Sequence, residues 1–399
     1  MRIKQIALAI FSVSVTGSAL AGGFSLSEQS VSAMGTANAG RASNAQDASV
    51  VFNNPAAMHL LKQAQFTQAV AFIDAQTKIK NASPSVLPGG TNEGDIVPHT
   101  FIPSGYFTSG DKNGWAWGVA AYGSFGLKTN YEPTFSGRHL GDKSSVKVTT
   151  IQPAVSYKLN DKVSVGFGPT INKLDAYLSK DTTGLSPLGN VEIEGDDIGY
   201  GFNAGAHFTL SPVSQVGIVY RSKVKYKIDD GSFKSSTVGS RTAATSMTTP
   251  ESVELSITHQ VNSKLKTHAG ATWTRWSRLQ ELAITTTPAL PLPAEAFHWK
   301  DSTGYSIGAS YAHCDKLELR AGLAYDNTPV APADRNVRLP DADRRIVSLG
   351  AGYKLSPSRT IDASYTYIDG EKAEVRQPTY QADYHTRASV YGLQFTQKF

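Results

Sequence analysis

The sequence predicts an all-β fold, an antiparallel transmembrane β-barrel of about 14 strands plugged by a small N-terminal segment, and three observations lead there. Apolar and polar side chains alternate with period two along most of the chain, tight turns and long loops alternate between those runs, and no segment offers the ~20 uninterrupted apolar residues that a spanning helix needs.

The chain opens with Arg2 and Lys4, an apolar run from Ile6 to Val15, and the small-residue site Ala19-Leu20-Ala21. This is the pattern of a secretory signal peptide over residues 1–21, with cleavage expected before Gly22. Losing Arg2 and Lys4 lowers the formal net charge of +5 by two, which is too little for a nucleic-acid footprint. The single cysteine, Cys314, excludes an internal disulfide framework despite export. A soluble chain of 399 residues would be expected to split into two domains, yet no linker or composition shift follows Met58.

Residues 22–63 come next. They are rich in Gly, Ala, Ser and Asn and too poor in large apolar side chains to build a core of their own. A polar barrel lumen would satisfy their backbone and side-chain groups, so they are expected to form a plug inside a barrel made by residues 64–399.

Within the barrel, Leu317, Leu319, Ala321, Leu323 and Tyr325 share one strand face while Glu318, Arg320, Gly322, Ala324 and Asp326 share the other. One face suits lipid and the other a wet lumen. Val347, Leu349, Ala351, Tyr353 and Leu355 repeat the split, as do Ile151, Val155, Tyr157 and Leu159. Short connections are expected at 109–113, 160–161, 211–212, 262–263, 314–315 and 356–358, each with turn chemistry. Long ones are expected near 81–97, 128–143, 181–194, 229–249, 288–298, 327–343 and 370–386. Short periplasmic turns and longer external loops alternate in this way in outer-membrane barrels. Trp115, Trp117, Tyr122, Trp273, Trp276, Tyr365 and Tyr367 cluster near strand ends and fit aromatic girdles at the lipid boundaries, although each alone would serve equally as core. The last strand places Tyr391, Leu393, Phe395 and Phe399 on one face, and its aromatic end resembles the terminal signature by which outer-membrane barrels are recognised by the assembly machinery.

Two stretches are more specific. Gly23-Phe24-Ser25-Leu26-Ser27-Glu28, followed by Gly35, Ala37, Gly40, Asp47-Ala48 and Asn53-Asn54-Pro55-Ala56, resembles the mature N-terminus of the FadL-type long-chain fatty acid transporter family, which also includes carriers of aromatic hydrocarbons. Gly114-Trp115-Ala116-Trp117-Gly118, leading to Ser124-Phe125-Gly126-Leu127, is similar to that family's third strand. The resemblance implies a 14-stranded monomeric barrel in the bacterial outer membrane, among its lipid and lipopolysaccharide. It further implies a hatch with Gly23, Phe24, Asn54, Pro55 and Ala56 as gating residues, and an inward kink at Gly123, Ser124, Phe125 and Gly126 that opens a window in the wall. Pro55 has no amide donor and Asn53-Asn54-Pro55 is turn chemistry, so a surface turn into the first strand would also account for these residues.

The implied activity is passive uptake of a hydrophobic small molecule, a fatty acid or aromatic hydrocarbon, through an external apolar groove, an internal site, hatch rearrangement and lateral exit. Leu185, Leu188, Val238 and Met247 are candidate groove residues, although each would serve equally to cap its own loop. Lys173, Arg221, Arg320 and Lys354 are candidate partners for a carboxylate. No Gly-x-Ser-x-Gly, phosphate loop or zinc-type histidine spacing is present, and His313 beside Cys314 lacks further ligands, so no catalytic residue, metal or cofactor is expected. A general diffusion porin, a loop-mediated adhesin or receptor, and a barrel hydrolase with dispersed catalytic groups stand as competing roles.

Overall fold

Fourteen antiparallel strands close into one barrel in the computed structural model, which describes residues 22–399 apart from Pro88 and Glu93. The expected signal peptide, residues 1–21, lies outside the described residues. In chain order the strands are β1 (Gln65–Lys80), β2 (Thr100–Thr108), β3 (Trp115–Asn130), β4 (Lys143–Lys158), β5 (Val163–Asp181), β6 (Asn190–Ser211), β7 (Ser214–Arg221 continued by Val224–Ser235) and β8 (Gly239–Thr249 continued by Ser252–Gln260). They are followed by β9 (Leu265–Thr274), β10 (Ser302–Ala312), β11 (Leu317–Asp326), β12 (Arg344–Ser356), β13 (Arg359–Gly370) and β14 (Tyr380–Lys398). Sequence neighbours pair, and β14 returns to β1 from Gln65↔Lys398 to Lys80↔Asp383, which removes the sheet edges. No helix among the described residues is long and apolar enough to cross a membrane.

Strand parity sets the two faces. Leu319, Leu323, Val347, Leu349, Tyr391 and Leu393 are exposed on the outer wall, whereas Arg320, Ser348 and Gln394 are buried inside. An apolar outer band around a polar interior is the arrangement that lipid requires. Trp115 and Trp117 lie on the outer face as expected. Tyr122 and Trp276 do not. Tyr122 has the opposite strand parity to Trp117 and is buried inside, its hydroxyl donating to Gln152 Oε1 at 2.8 Å. Trp276 lies in a loop folded back into the barrel mouth, where it is 1% exposed.

The expected long loop at 229–249 is mostly strand, and the one at 181–194 shortens to 182–189. β5 and β6 run 19 and 22 residues, well past the ~9–11 that cross a bilayer, and β7 and β8 continue to a connection at 236–238. In the upper part of β7 the face pattern inverts: Val224, Tyr226 and Ile228 are buried while Lys225 and Lys227 are exposed. Above the lipid the outer face meets water, so charge belongs outside and apolar side chains turn inward.

Residues 22–61 lie against the inner wall. They include two short helices, α1 (Val31–Met34) and α2 (Val50–Asn53), and a 3-10 turn at Pro55–Leu60. Inward glycines make room for this segment: a Cβ at Gly166, Gly217 or Gly322 would overlap the backbone at Ala56, Ala42 or Thr36. Polar wall groups satisfy its backbone. Tyr106 donates to Gln29 O at 2.6 Å, Gln152 Nε2 to Val51 O at 2.9 Å, and Ser156 and Ser164 to Ala56 O at 3.0 and 2.8 Å.

Candidate functional site

The site begins at an irregularity in β3. The β3–β4 register shifts between Gly123 and Phe125, so that one extra residue is accommodated and strand parity reverses. Before the shift Ala116, Gly118, Ala120 and Tyr122 face inward; after it, Phe125 and Leu127 do so, paired with inward Val148 and Val146. On its other side β3 pairs with β2 only from Gly105↔Ala121 to Thr108↔Gly118. The rest of that β3 edge is met by the N-terminal segment, with Ser25 bridging Phe125, Gly126 N–H donating to Phe24 O at 2.9 Å and Leu26 N–H donating to Ser124 O at 3.2 Å. The segment thus stands where β2 would otherwise continue the ladder.

This pairing aims Phe24 at an aromatic cluster. Its ring centroid lies 4.8 Å from that of Trp276, 5.7 Å from Phe125 and 5.9 Å from Trp299, and Phe24 is 4% exposed. Gly23 makes the preceding turn with φ +67°, and a Cβ there would come within 2.7 Å of Trp276, so both conformation and space call for glycine. Trp276 and Trp299 come from the 275–301 connection, which folds inward over the strand ends.

Phe24 forms part of the wall of a predominantly apolar cleft. Its other apolar walls include Leu127, Val146, Leu174, Met247 and Leu279. Arg338, Glu194 and Glu295 supply charged groups at its border. Arg338 is 7% exposed, its Nη1 donates to Ser144 Oγ at 3.1 Å and Lys143 O at 3.2 Å, and its Nε lies 3.3 Å from Glu295 Oε2. That Nε–H has no hydrogen-bond acceptor among the described residues. The cleft is apolar apart from this border, where Arg338 is ion-paired with Glu295.

Of the expected groove residues, Met247 lines the cleft, whereas Leu188 and Val238 pack with Val191 and Phe233 in an outer cluster that adjoins the cleft through Ala243. Leu185 is exposed beyond it. The four basic candidates stand elsewhere. Lys173 is on the outer face of β5, 3.3 Å from Asp175, and Lys354 is exposed near the short-turn end of β12. Arg320 is held by Asp362 at 2.6 Å and Glu318 at 2.8 Å. Arg221 shares Glu254 with Arg41, at 2.9 and 2.7 Å, and its guanidinium lies 4.6 Å from the Phe52 ring centroid. These last two neutralise wall carboxylates, and Arg221 also braces the N-terminal segment. Sequence reasoning missed Arg338, Trp299 and Leu279, because loops bring them to the cleft and no strand parity marks them.

Asn54, Pro55 and Ala56 lie about the opposite end of the segment. Asn54 Oδ1 accepts from Ala56 N–H at 3.0 Å and its Nδ2 donates to Ala42 O at 2.8 Å, which caps the 3-10 turn and ties two parts of the segment together. Pro55 occupies the first turn, where its missing donor leaves nothing unsatisfied. Nearby His59 donates through Nδ1 to Ala56 O at 2.9 Å, and burial holds its pKa below the ordinary imidazole value.

Comparison with known proteins adds an independent line. A family model described as outer membrane protein transport protein (OMPP1/FadL/TodX) matches residues 12–399. The outer membrane protein P1 of Haemophilus influenzae is 27% identical, with both chains covered over 100% of their length. The long-chain fatty acid transport protein of Escherichia coli K12 is 26% identical, covering 98% of each chain. The crystal structure of a Pseudomonas aeruginosa FadL homologue superposes with a TM-score of 0.86 at 23% identity, over 95% of this chain and 100% of that one, a likeness of fold.

Proposed function

The chain belongs to the OMPP1/FadL/TodX family of outer membrane transport proteins, and we propose that within it this member carries long-chain fatty acids inward by passive steps. The family comprises transporters of hydrophobic compounds rather than enzymes, and its members are outer-membrane barrels. The observation that carries the substrate reading is the apolar cleft bordered by Arg338. Burial stabilises an alkyl tail by about 0.8 kcal/mol per CH₂, and a ligand carboxylate that takes the place of Glu295 at the Arg338 guanidinium forms a charge-assisted hydrogen bond. An aromatic hydrocarbon would use the apolar walls and leave Arg338 idle.

In this reading the outer cluster around Leu188 and Val238 collects the ligand, the cleft then holds it, and Phe24 gates further movement. The N-terminal segment acts as a hatch. When ligand displaces Phe24, the pairing of residues 24–26 with β3 is released, and the gap where β2 and β3 part becomes a lateral exit into the membrane. Support comes from one segment doing both jobs: Phe24 packs at the cleft while its own carbonyl satisfies the β3 edge. Movement down a gradient needs no other energy source.

The test is to purify the protein from outer membranes, extract it, and identify co-purifying molecules by mass spectrometry. Fatty acids at close to one per chain, depleted in Arg338→Leu, are expected. Aromatic hydrocarbons bound equally by both proteins would favour the other branch of the family, and the absence of any amphiphile together with steady ion conductance would favour a diffusion porin.

A further inference from the structure

Around Gly22 the carboxylates outnumber the basic side chains that meet them. Asp326 closes β11 on its inward face, and Asp341 and Asp343 come from the 327–343 connection. Asp341 is 3% exposed and is paired with Arg344, and it accepts from Thr328 Oγ1 at 2.6 Å. Asp343 accepts from Tyr325 Oη and Thr328 N–H, both at 2.8 Å. Among the described residues neither Asp326 nor Asp343 is ion-paired to a basic side chain. Arg344 and the more distant Arg335 offset part of the charge of these three carboxylates, and since buried charge is costly unless paired, a further cation has a place here.

The chain brings one nitrogen to that place. Gly22 is buried, its N donates to Asp326 Oδ2, and Gly23 N–H donates to Asp341 Oδ2 at 3.0 Å. A Cβ on Gly22 would come within 2.8 Å of Asn327 O and 3.4 Å of both Asp326 carboxylate oxygens, so only glycine lets the backbone nitrogen approach so closely. As an internal amide this nitrogen is neutral and has one proton. As the first residue of a processed chain it is an ammonium with three protons, since an α-amino group titrates near 7.7–8.0 in general.

We infer that the α-ammonium group created at Gly22 by removal of residues 1–21 is bound by Asp326 and its neighbouring carboxylates, so that signal-peptide cleavage strengthens docking of the N-terminal segment. Cleavage supplies the missing positive charge at the place where it is needed. The ammonium then fixes Gly22 and Gly23, and Gly23 presents Phe24 to Trp276 and Trp299. The consequence for gating rests on the transport reading above; the ammonium site itself does not.

The experiment uses mature protein isolated from outer membranes, with the N-terminus defined by intact mass. An amine-reactive ester is applied near neutral pH and modification of the N-terminal peptide is followed over time by mass spectrometry. Gly22 is expected to react about tenfold or more slowly than in Asp326→Asn or in a variant with one alanine inserted between Ala21 and Gly22, because reaction then requires local opening. Asp326→Glu should retain protection, and all variants should keep the heat-dependent electrophoretic shift of a folded barrel. Equal labelling in the parent and Asp326→Asn proteins, labelling as fast as in heat-unfolded protein, or a mature chain that begins elsewhere overturns the inference. No ligand is involved, so failure here is distinct from failure of the fatty acid reading.

Discussion

Phe24→Ala tests the link between the cleft and the wall. Phe24 is 4% exposed, and its ring sits 4.8 Å from Trp276. Truncating a buried phenylalanine costs about 3–5 kcal/mol, with the larger values where a closed cavity is left. Here the vacated space merges with the adjoining cleft, so the lower end, about 3 kcal/mol, applies. The loss falls on docking of residues 22–26 and not on the strand ladder, which makes no use of this ring. At about 1.4 kcal/mol per factor of ten, undocking becomes roughly a hundredfold more frequent. Amide hydrogen exchange read by mass spectrometry reports it at two groups: Leu26 N–H, bonded to Ser124 O, and Gly126 N–H, bonded to Phe24 O. Both should exchange roughly a hundredfold faster while amides in the β4–β5 ladder are unchanged. Acceleration under about threefold at these two groups, or equal acceleration throughout the barrel, would refute the reasoning.

Arg338→Leu should weaken retention of a long-chain fatty acid by about 1.5–3 kcal/mol, roughly 10- to 150-fold, and leave the corresponding primary alcohol nearly unaffected; calorimetric titration of both ligands checks it. Gly322→Val places a side chain onto the Thr36 carbonyl, and since the strand ladder lies outside that contact, the expected result is a folded barrel with a displaced N-terminal segment and steady conductance in planar bilayers. His59 has a folded pKa below its ordinary 6.5, so the undocked segment binds the proton first: its contribution to docking is fully present above about 6.5 and declines as pH falls below it. Exchange at Ala57 and Leu61 N–H, corrected for intrinsic rates, should show that trend in the parent and a flat profile in His59→Gln.

Much of the barrel was legible because lipid imposes a strict rule on strand parity. Leu319 and Leu323 outside, with Arg320 and Gly322 inside, can be read directly from alternation. The same rule misleads where its premise ends. Residues 229–249 were expected to form a loop, yet above the bilayer the outer face meets water and the strand continues, with Lys225 and Lys227 exposed. Tyr122 and Trp276 fit girdles by residue type and by nearness to strand ends, with core as the alternative, and the core reading holds: Tyr122 has the inward parity and Trp276 belongs to a returning loop. The register shift falls within the expected Gly123–Gly126 stretch, but what it accomplishes, turning Phe125 and Leu127 inward, depends on pairing with β4. The cleft itself was the least legible part. Leu174, Leu279, Trp299 and Arg338 are far apart in sequence, and only closure of the barrel and inward folding of two loops bring them together.

For a ligand to pass, residues 24–26 must leave β3. Ser25 and Phe125 are bridge partners, and directly opposed antiparallel residues lie close enough to be joined by a disulfide. The decisive measurement is uptake of radiolabelled long-chain fatty acid by cells making Ser25→Cys with Phe125→Cys, in a Cys314→Ser background so that the exposed native thiol does not interfere. Uptake should stop when the cross-link is complete and return when it is reduced. Undiminished uptake with residue 25 fully cross-linked to residue 125 would contradict the account.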